Sequence, residues 1–155
     1  MNRIAFSPEG EIRPAAVVLV GLVLSAVAFA INTLIASAGP PALGAPDEVS
    51  QFGTVKVVLA TIPAVLGNAL GFYMSYRSYD PRALVKFLVP AAGFFVAFMS
   101  IPVWGLLAGG TVTAFVVAAT LNVVAVAVAV PALLALRPGI APDNVLGLPA
   151  ETAVK

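Results

Sequence analysis

The chain lacks both cysteine and histidine, and it carries little charge. The absence of cysteine excludes disulfides, thiol nucleophiles and thiolate metal sites. The absence of histidine removes the commonest metal ligand and the commonest general base at neutral pH. Charged residues make up 10% of the chain and the net charge is +1, so nothing attracts a nucleic acid. We therefore expect no enzymatic activity, no cofactor, no metal site and no nucleic-acid partner.

Long apolar runs take the place of the missing charges. The chain is 61% hydrophobic, whereas soluble domains average about 45–50%. Residues 87–136 contain no charged side chain. As one helix they would extend about 75 Å, more than twice the hydrocarbon thickness of about 30 Å. Gly109-Gly110 near the middle therefore predicts a turn between two membrane spans.

The apolar runs predict four helices, each longer than the roughly 20 residues that a span needs. Short connections between them predict an all-α integral membrane four-helix bundle with up-down-up-down topology. Val124 to Val130 alternates Val with Ala, which imitates the period of a strand, but a barrel strand would alternate apolar with polar residues. The predicted spans are 14–38, 54–76, 83–108 and 111–136 within a domain 14–136, flanked by a cytoplasmic segment 1–13 and a flexible cytoplasmic tail 137–155.

The positions of lysine and arginine predict the orientation. All but Lys56 fall on one side of the membrane if both termini share that side. We therefore expect a plasma membrane protein with both termini cytoplasmic. The alternative that span one is a cleaved signal peptide is disfavoured, because its apolar region exceeds the 7–15 residues of a signal sequence. The basic residues on the cytoplasmic side are Arg3, Arg13, Arg77, Arg82, Lys86, Arg137 and Lys155.

Small residues at helical spacing predict where the helices approach closely. Span one carries Gly21 and Ser25 on one face, and Gly67 and Gly71 of span two form a GxxxG motif. A GxxxG motif marks either the face of a homodimer or packing within one chain. We expect packing within the chain, since three other spans are available as neighbours.

Three asparagines, Asn32, Asn68 and Asn122, lie within the apolar spans. One interpretation is polar glue between helices, and the other is a polar cluster along a solute pathway. Glue is favoured, because intramembrane amides generally hydrogen-bond across helices. Asn68 and Asn122 fall near mid-span and are expected to contact each other. Four prolines also lie within the spans, and each frees a carbonyl one turn earlier: Pro63, Pro90, Pro102 and Pro131.

Several short motifs carry a family resemblance. Span one ends in the pattern Asn32 to Leu34, Pro63 comes early in span two, a basic turn covers Arg77 to Arg82, and the last span closes on Val130 to Leu133. In these motifs the chain resembles, over about residues 17–136, an uncharacterised four-span membrane protein family, a domain of unknown function common in actinobacteria. The resemblance implies a fold and a membrane location in a prokaryote, and it implies no activity.

Two functions from different classes follow as hypotheses. The first is a non-enzymatic accessory or scaffold membrane subunit, whose partners are the lipid bilayer and another membrane protein or a second copy. The alternative is a small oligomeric channel or facilitator with a pathway near the three asparagines. It would not be proton-coupled, since every acidic residue lies outside the spans. A membrane enzyme acting on lipid is disfavoured, because the spans supply neither a base nor an activated nucleophile.

Overall fold

Four long helices make up most of the part of the chain that the structure, a computed structural model, describes. All four are long and apolar enough to cross a membrane. The prediction of an all-α fold with four long apolar helices is therefore confirmed for the described residues, and the alternating stretch 124–130 lies inside the last helix. The helices are α1 (Pro14–Ala42), α2 (Thr54–Tyr76), α3 (Ala83–Leu107) and α4 (Val112–Ala135), with a short 3₁₀ helix, Pro46–Phe52, before α2.

The described residues are 12–77 and 81–137. The predicted N-terminal segment lies outside them up to residue 11, and the predicted tail lies outside them from residue 138. Residues 78–80 of the basic turn between α2 and α3 also lie outside them.

Helix α1 continues beyond residue 38, where the sequence predicted its end, and includes Pro40 and Pro41. A proline removes a backbone N–H but keeps its carbonyl. The carbonyl of Pro40 accepts hydrogen bonds from the amides of Leu43 (3.2 Å) and Ala45 (2.9 Å). Gly44 then adopts a positive φ of 79°, which ends the helix. The two prolines therefore lie in the last turn of α1, and the connection to α2 is shorter than predicted.

The turn between α3 and α4 depends on two glycines. Gly109 has a φ of 94°, a conformation that side chains disfavour. The amide of Gly110 donates to the carbonyl of Gly105 over 3.0 Å. A Cβ atom at Gly110 would lie only 2.7 Å from that carbonyl oxygen. The chain therefore needs glycine at 110 for a steric reason and at 109 for a conformational one.

Helices α2 and α4 lie at the centre of the bundle, and each packs against the other three helices. Small side chains fill much of the contact between α1, α2 and α4, including the fully buried Ala28, Ala125 and Ala129. Larger side chains fill one end, where Phe72 packs edge-on against Phe87 of α3 with ring centroids 5.6 Å apart. Helix α3 is the least buried of the four: 11% of the residues in its most apolar stretch are buried, against 39% in α2.

Candidate functional site

Asn32 joins three helices in the interior of the bundle. Its side chain is completely buried, and its amide nitrogen donates to the hydroxyl of Thr61 on α2 (2.7 Å) and to the carbonyl of Leu121 on α4 (3.0 Å). Thr61 is also completely buried, and the sequence analysis did not identify it as part of this contact. The available signal was its position seven residues before Asn68, which places both on one face of α2.

The other two predicted amides have separate partners. The amide nitrogen of Asn68 donates to the carbonyl of Ala64 on its own helix over 2.7 Å. The amide nitrogen of Asn122 donates to the carbonyl of Phe98 on α3 over 3.1 Å. Because the two amides donate to different carbonyls, the structure does not show the hydrogen bond expected between Asn68 and Asn122. The three asparagines occupy three positions rather than one hydrogen-bonded cluster.

Pro102 explains why Asn122 contacts Phe98. In an uninterrupted helix the carbonyl of Phe98 would accept from the amide of residue 102, and proline has no such amide. The freed carbonyl accepts from Asn122 instead. An unpaired carbonyl in lipid costs several kcal/mol, so the side-chain amide has a clear structural role. Pro102 is itself buried between α3 and its neighbours.

Of the predicted packing residues, Gly21 and Ser25 lie on the buried face of α1. A Cβ atom at Gly21 would lie 3.0 Å from the Cβ of Ala69, so α1 and α2 approach most closely there. Ser25, 4% exposed, lies one turn further along α1, and its hydroxyl has no hydrogen-bond partner. The carbonyl oxygens of the Asn32 and Asn68 side chains also have no partner.

The close packing within the chain that was expected for Gly67 and Gly71 is not seen at Gly67, whereas Gly71 does approach Phe87 of α3. No atom lies within 4 Å of a Cβ built at Gly67, and the nearest atom to one at Gly71 is a ring carbon of Phe87 at 4.0 Å. The reason is the rotation of α2, which directs a different face toward its neighbours. The buried residues of α2 are Val57, Thr61, Ala64, Val65, Asn68, Ala69, Phe72 and Ser75.

A groove opens between α2, α3 and α4. It consists of two adjoining cavities of about 280 Å³ and about 340 Å³, which share Phe52, Lys56, Pro102 and Ala118. We call it the α2–α3–α4 groove. Its larger cavity is mostly apolar and includes Asn122 in its lining. An apolar concavity with a few polar groups is typical of a small-molecule or lipid site.

Charged and polar side chains lie at the end of this groove next to the 3₁₀ helix, which we call its outer end. Lys56 is exposed and lines both cavities. Thr111, at the start of α4, lines the smaller cavity, and its hydroxyl donates to Glu48 of the 3₁₀ helix over 2.8 Å. No ion pair between described residues involves Lys56. Lys56 thus lines the groove, and the carboxylate of Glu48 lies next to the lining residue Thr111, without an ion pair between the two.

A third cavity, of about 450 Å³, lies between α1 and α2. Its lining is apolar apart from Tyr73, and includes Val18, Leu22 and Leu70. In a bilayer such a surface groove is filled by lipid chains. The hydroxyl of Tyr73 is the polar side-chain group in this lining.

Within residues 12–77 and 81–137, no group of three histidine, cysteine, aspartate or glutamate side chains could hold a metal ion. No family model matches the chain, and no curated protein or solved structure shows a match either.

Proposed function

We propose that this chain is a non-enzymatic accessory or scaffold subunit of a membrane complex, and that α3 is the helix that contacts the partner. The observation that carries the proposal is the low burial of α3. Within the protomer its buried residues are Ala83, Phe87, Ala91 and Pro102. A span that contributes so little to its own bundle has most of its surface left for lipid or for another helix.

The outward side of α3 has the residues that membrane helices use to associate. Gly93, Ala97 and Ser100 are exposed, and their spacing of four and three residues places them on one face. That face is opposite Pro102 at 100° per residue, away from the core. No atom lies within 4 Å of a Cβ built at Gly93. Small residues let a second helix approach closely, which gives the packing contacts that drive association in lipid.

We propose an up-down-up-down topology with both termini on the cytoplasmic side of a prokaryotic plasma membrane. The register of α1 and α2 supports opposite directions, since Gly21 lies against Ala69 while Asn32 bonds to Thr61. Moving forward along α1 therefore corresponds to moving backward along α2. The bias of lysine and arginine supports the orientation, with Lys56 alone on the outer side. Membership of the four-span actinobacterial family remains a proposal and rests on the short motifs given above.

An oligomeric channel or facilitator is the second candidate, and one observation favours it. Asn122, although buried, forms part of the lining of an open groove that Lys56 also lines, so one polar side chain borders that groove. Asn32 and Asn68 favour the structural role instead. Neither side chain lines the groove, and both amide nitrogens are used in hydrogen bonds within the protomer. A pathway through the groove would need a second copy to close its open side.

The test is recovery of the tagged full-length chain from its native membranes in mild detergent, with the mass of the complex determined. We expect a stoichiometric foreign membrane protein. Ala97→Leu should reduce recovery of that partner about tenfold, because it fills the small-residue face of α3. The matched control is Ala26→Leu, which makes the same change at an exposed position of α1. Recovery of the chain only with copies of itself would contradict the accessory role and favour the channel. Equal losses in the two variants would contradict the assignment to α3.

A further inference from the structure

The α2–α3–α4 groove has a charged outer end and an apolar floor. Asn32 bonds to both Thr61 and Leu121, so these two residues lie at the same depth in the bundle. Lys56 precedes Thr61 by five residues and Asn122 follows Leu121 by one. At 1.5 Å per residue, Lys56 and Asn122 are therefore separated by about 9 Å along the bundle axis. The groove thus extends from the level of a headgroup into the level of acyl chains.

The charges at the outer end determine what kind of headgroup fits. The described charged residues there are Asp47, Glu48 and Lys56, two acids and one base. A ligand with only a negative charge would gain from Lys56 but be repelled by the two carboxylates. A ligand that carries both charges can place its anion against Lys56 and its cation against Glu48. Glu48 is held toward the opening, because one of its oxygens accepts from Thr111 of the groove lining.

We propose that this groove binds a zwitterionic, amine-bearing phospholipid, with its phosphate at Lys56, its amine at Glu48 and one acyl chain along the apolar floor. Phe98, Ile101 and Leu121 supply that floor. Lys56 is suited to the role because a lysine side chain extends along apolar surface toward the headgroup level. The lipid site is separate from the outward face of α3 and does not depend on the proposed accessory function.

The site is tested by native mass spectrometry of the full-length chain, purified in mild detergent and supplied with equal amounts of phosphatidylethanolamine and phosphatidylglycerol. We expect phosphatidylethanolamine to be retained in preference. Equal retention of the two lipids, or a preference for phosphatidylglycerol, would overturn the proposal.

Charge variants test the two headgroup contacts. Glu48→Gln should reduce the preference for phosphatidylethanolamine about threefold, and Lys56→Gln should reduce the amount of phosphatidylethanolamine retained about threefold, as expected for exposed charge pairs. Asp47→Asn is the matched control, since it removes the neighbouring exposed carboxylate. A loss in Asp47→Asn as large as that in Glu48→Gln would show a general charge effect and overturn the proposed pairing. These surface changes leave the core of the bundle intact.

A steric variant tests the groove itself. Ala118 lines both cavities, so Ala118→Leu should reduce bound phosphatidylethanolamine about tenfold by filling them. Ala127→Leu, at an exposed position on the same helix, should leave binding unchanged. Unchanged binding in Ala118→Leu would place the lipid elsewhere and overturn the proposal. If Ala118→Leu does not fold, the charge variants still decide between the outcomes.

Discussion

Asn32 is the residue on which contacts between three of the helices converge. Its two amide hydrogens bond to Thr61 and Leu121, and both Asn32 and Thr61 are completely buried. Hydrogen bonds between side chains in membrane proteins average about 0.6 kcal/mol, with a maximum of about 1.7 kcal/mol. The value is small because the separated helices can find other partners in the membrane. Asn32 therefore fixes the register of α1, α2 and α4 more than it stabilises them.

A double-mutant cycle between Asn32→Ala and Thr61→Val measures this contact. We expect a coupling free energy of about 0.6 kcal/mol in unfolding by detergent titration. The control cycle combines Asn32→Ala with Thr33→Val instead of Thr61→Val. Thr33 is exposed, and its hydroxyl donates to the carbonyl of Phe29 on its own helix. That control should show no coupling. A coupling of zero between Asn32 and Thr61 would contradict the hydrogen bond.

Two glycines of the predicted packing set should respond differently to alanine. Gly21→Ala places a Cβ 3.0 Å from the Cβ of Ala69, which moves only if a helix moves. We expect a loss of about 1–3 kcal/mol in the free energy of unfolding. Gly67→Ala meets no atom within 4 Å, and should be neutral or stabilise by up to about 1 kcal/mol. Thermal unfolding in detergent compares the two, and equal losses would contradict the described packing.

The contrast between α1 and α2 shows what the sequence predicts at this scale. In α1 the predicted stripe of small and polar residues, from Gly21 through Ser25 to Asn32, lies on the buried face. In α2 alanine and glycine occur on more than one face, so the spacing alone did not choose between them. Thr61 and the larger Phe72 are completely buried, and the rotation of α2 places them against neighbouring helices. The pattern of a single span does not describe those neighbours.

Individual helices depend on how their unpaired backbone groups are satisfied. In α3, Pro102 frees the carbonyl of Phe98, and Asn122 supplies the missing donor. The sequence predicted the freed carbonyl, because proline always removes that bond. It did not predict the donor, because Asn122 is one of three amides and the rotation of α4 determines which helix it faces.

The side-chain amide of Asn122 replaces the backbone amide that Pro102 lacks, and this replacement can be measured. Asn122→Ala alone leaves the carbonyl of Phe98 without a partner and should destabilise the protein by about 1–3 kcal/mol. In a Pro102→Ala background the backbone amide of residue 102 can bond to that carbonyl. Asn122→Ala should then cost less, and the difference in unfolding free energy between the two backgrounds is the readout. The same cost in both backgrounds would contradict this explanation.

The start of α4 depends on Thr111. Its hydroxyl accepts from the amide of Ala114 over 3.0 Å and donates to Glu48 over 2.8 Å. Thr111→Val removes both contacts and should lower the free energy of unfolding by about 1 kcal/mol. Thr111→Ser keeps the hydroxyl and is the matched control. If the valine variant unfolds at the same temperature as the serine variant, the cap contributes nothing.

For the whole molecule, the sequence was most informative about the structural class and least informative about the function. Apolar runs of sufficient length predicted four apolar helices, because a backbone in lipid must satisfy its own hydrogen bonds. The α2–α3–α4 groove could not be predicted. It arises where Pro102 and the loosely packed α3 leave space beside Lys56, and its lining comes from three helices and the 3₁₀ helix.

The membrane arrangement is the claim on which the proposed contacts with lipid and partner depend. Because the chain has no cysteine, a single introduced cysteine is the only thiol available for labelling. Ser50→Cys lies in the 3₁₀ helix before α2, and Pro81→Cys lies between α2 and α3. Both positions are exposed in the structure.

Labelling of intact cells with a membrane-impermeant maleimide is the most direct measurement. We expect Ser50→Cys to react in intact cells, and Pro81→Cys to react only after the membrane is permeabilised. That result would place the ends of α2 on opposite sides of the membrane, with Lys56 at the outer surface. Reaction of both cysteines in intact cells, or of Pro81→Cys alone, would contradict the proposed four-span topology.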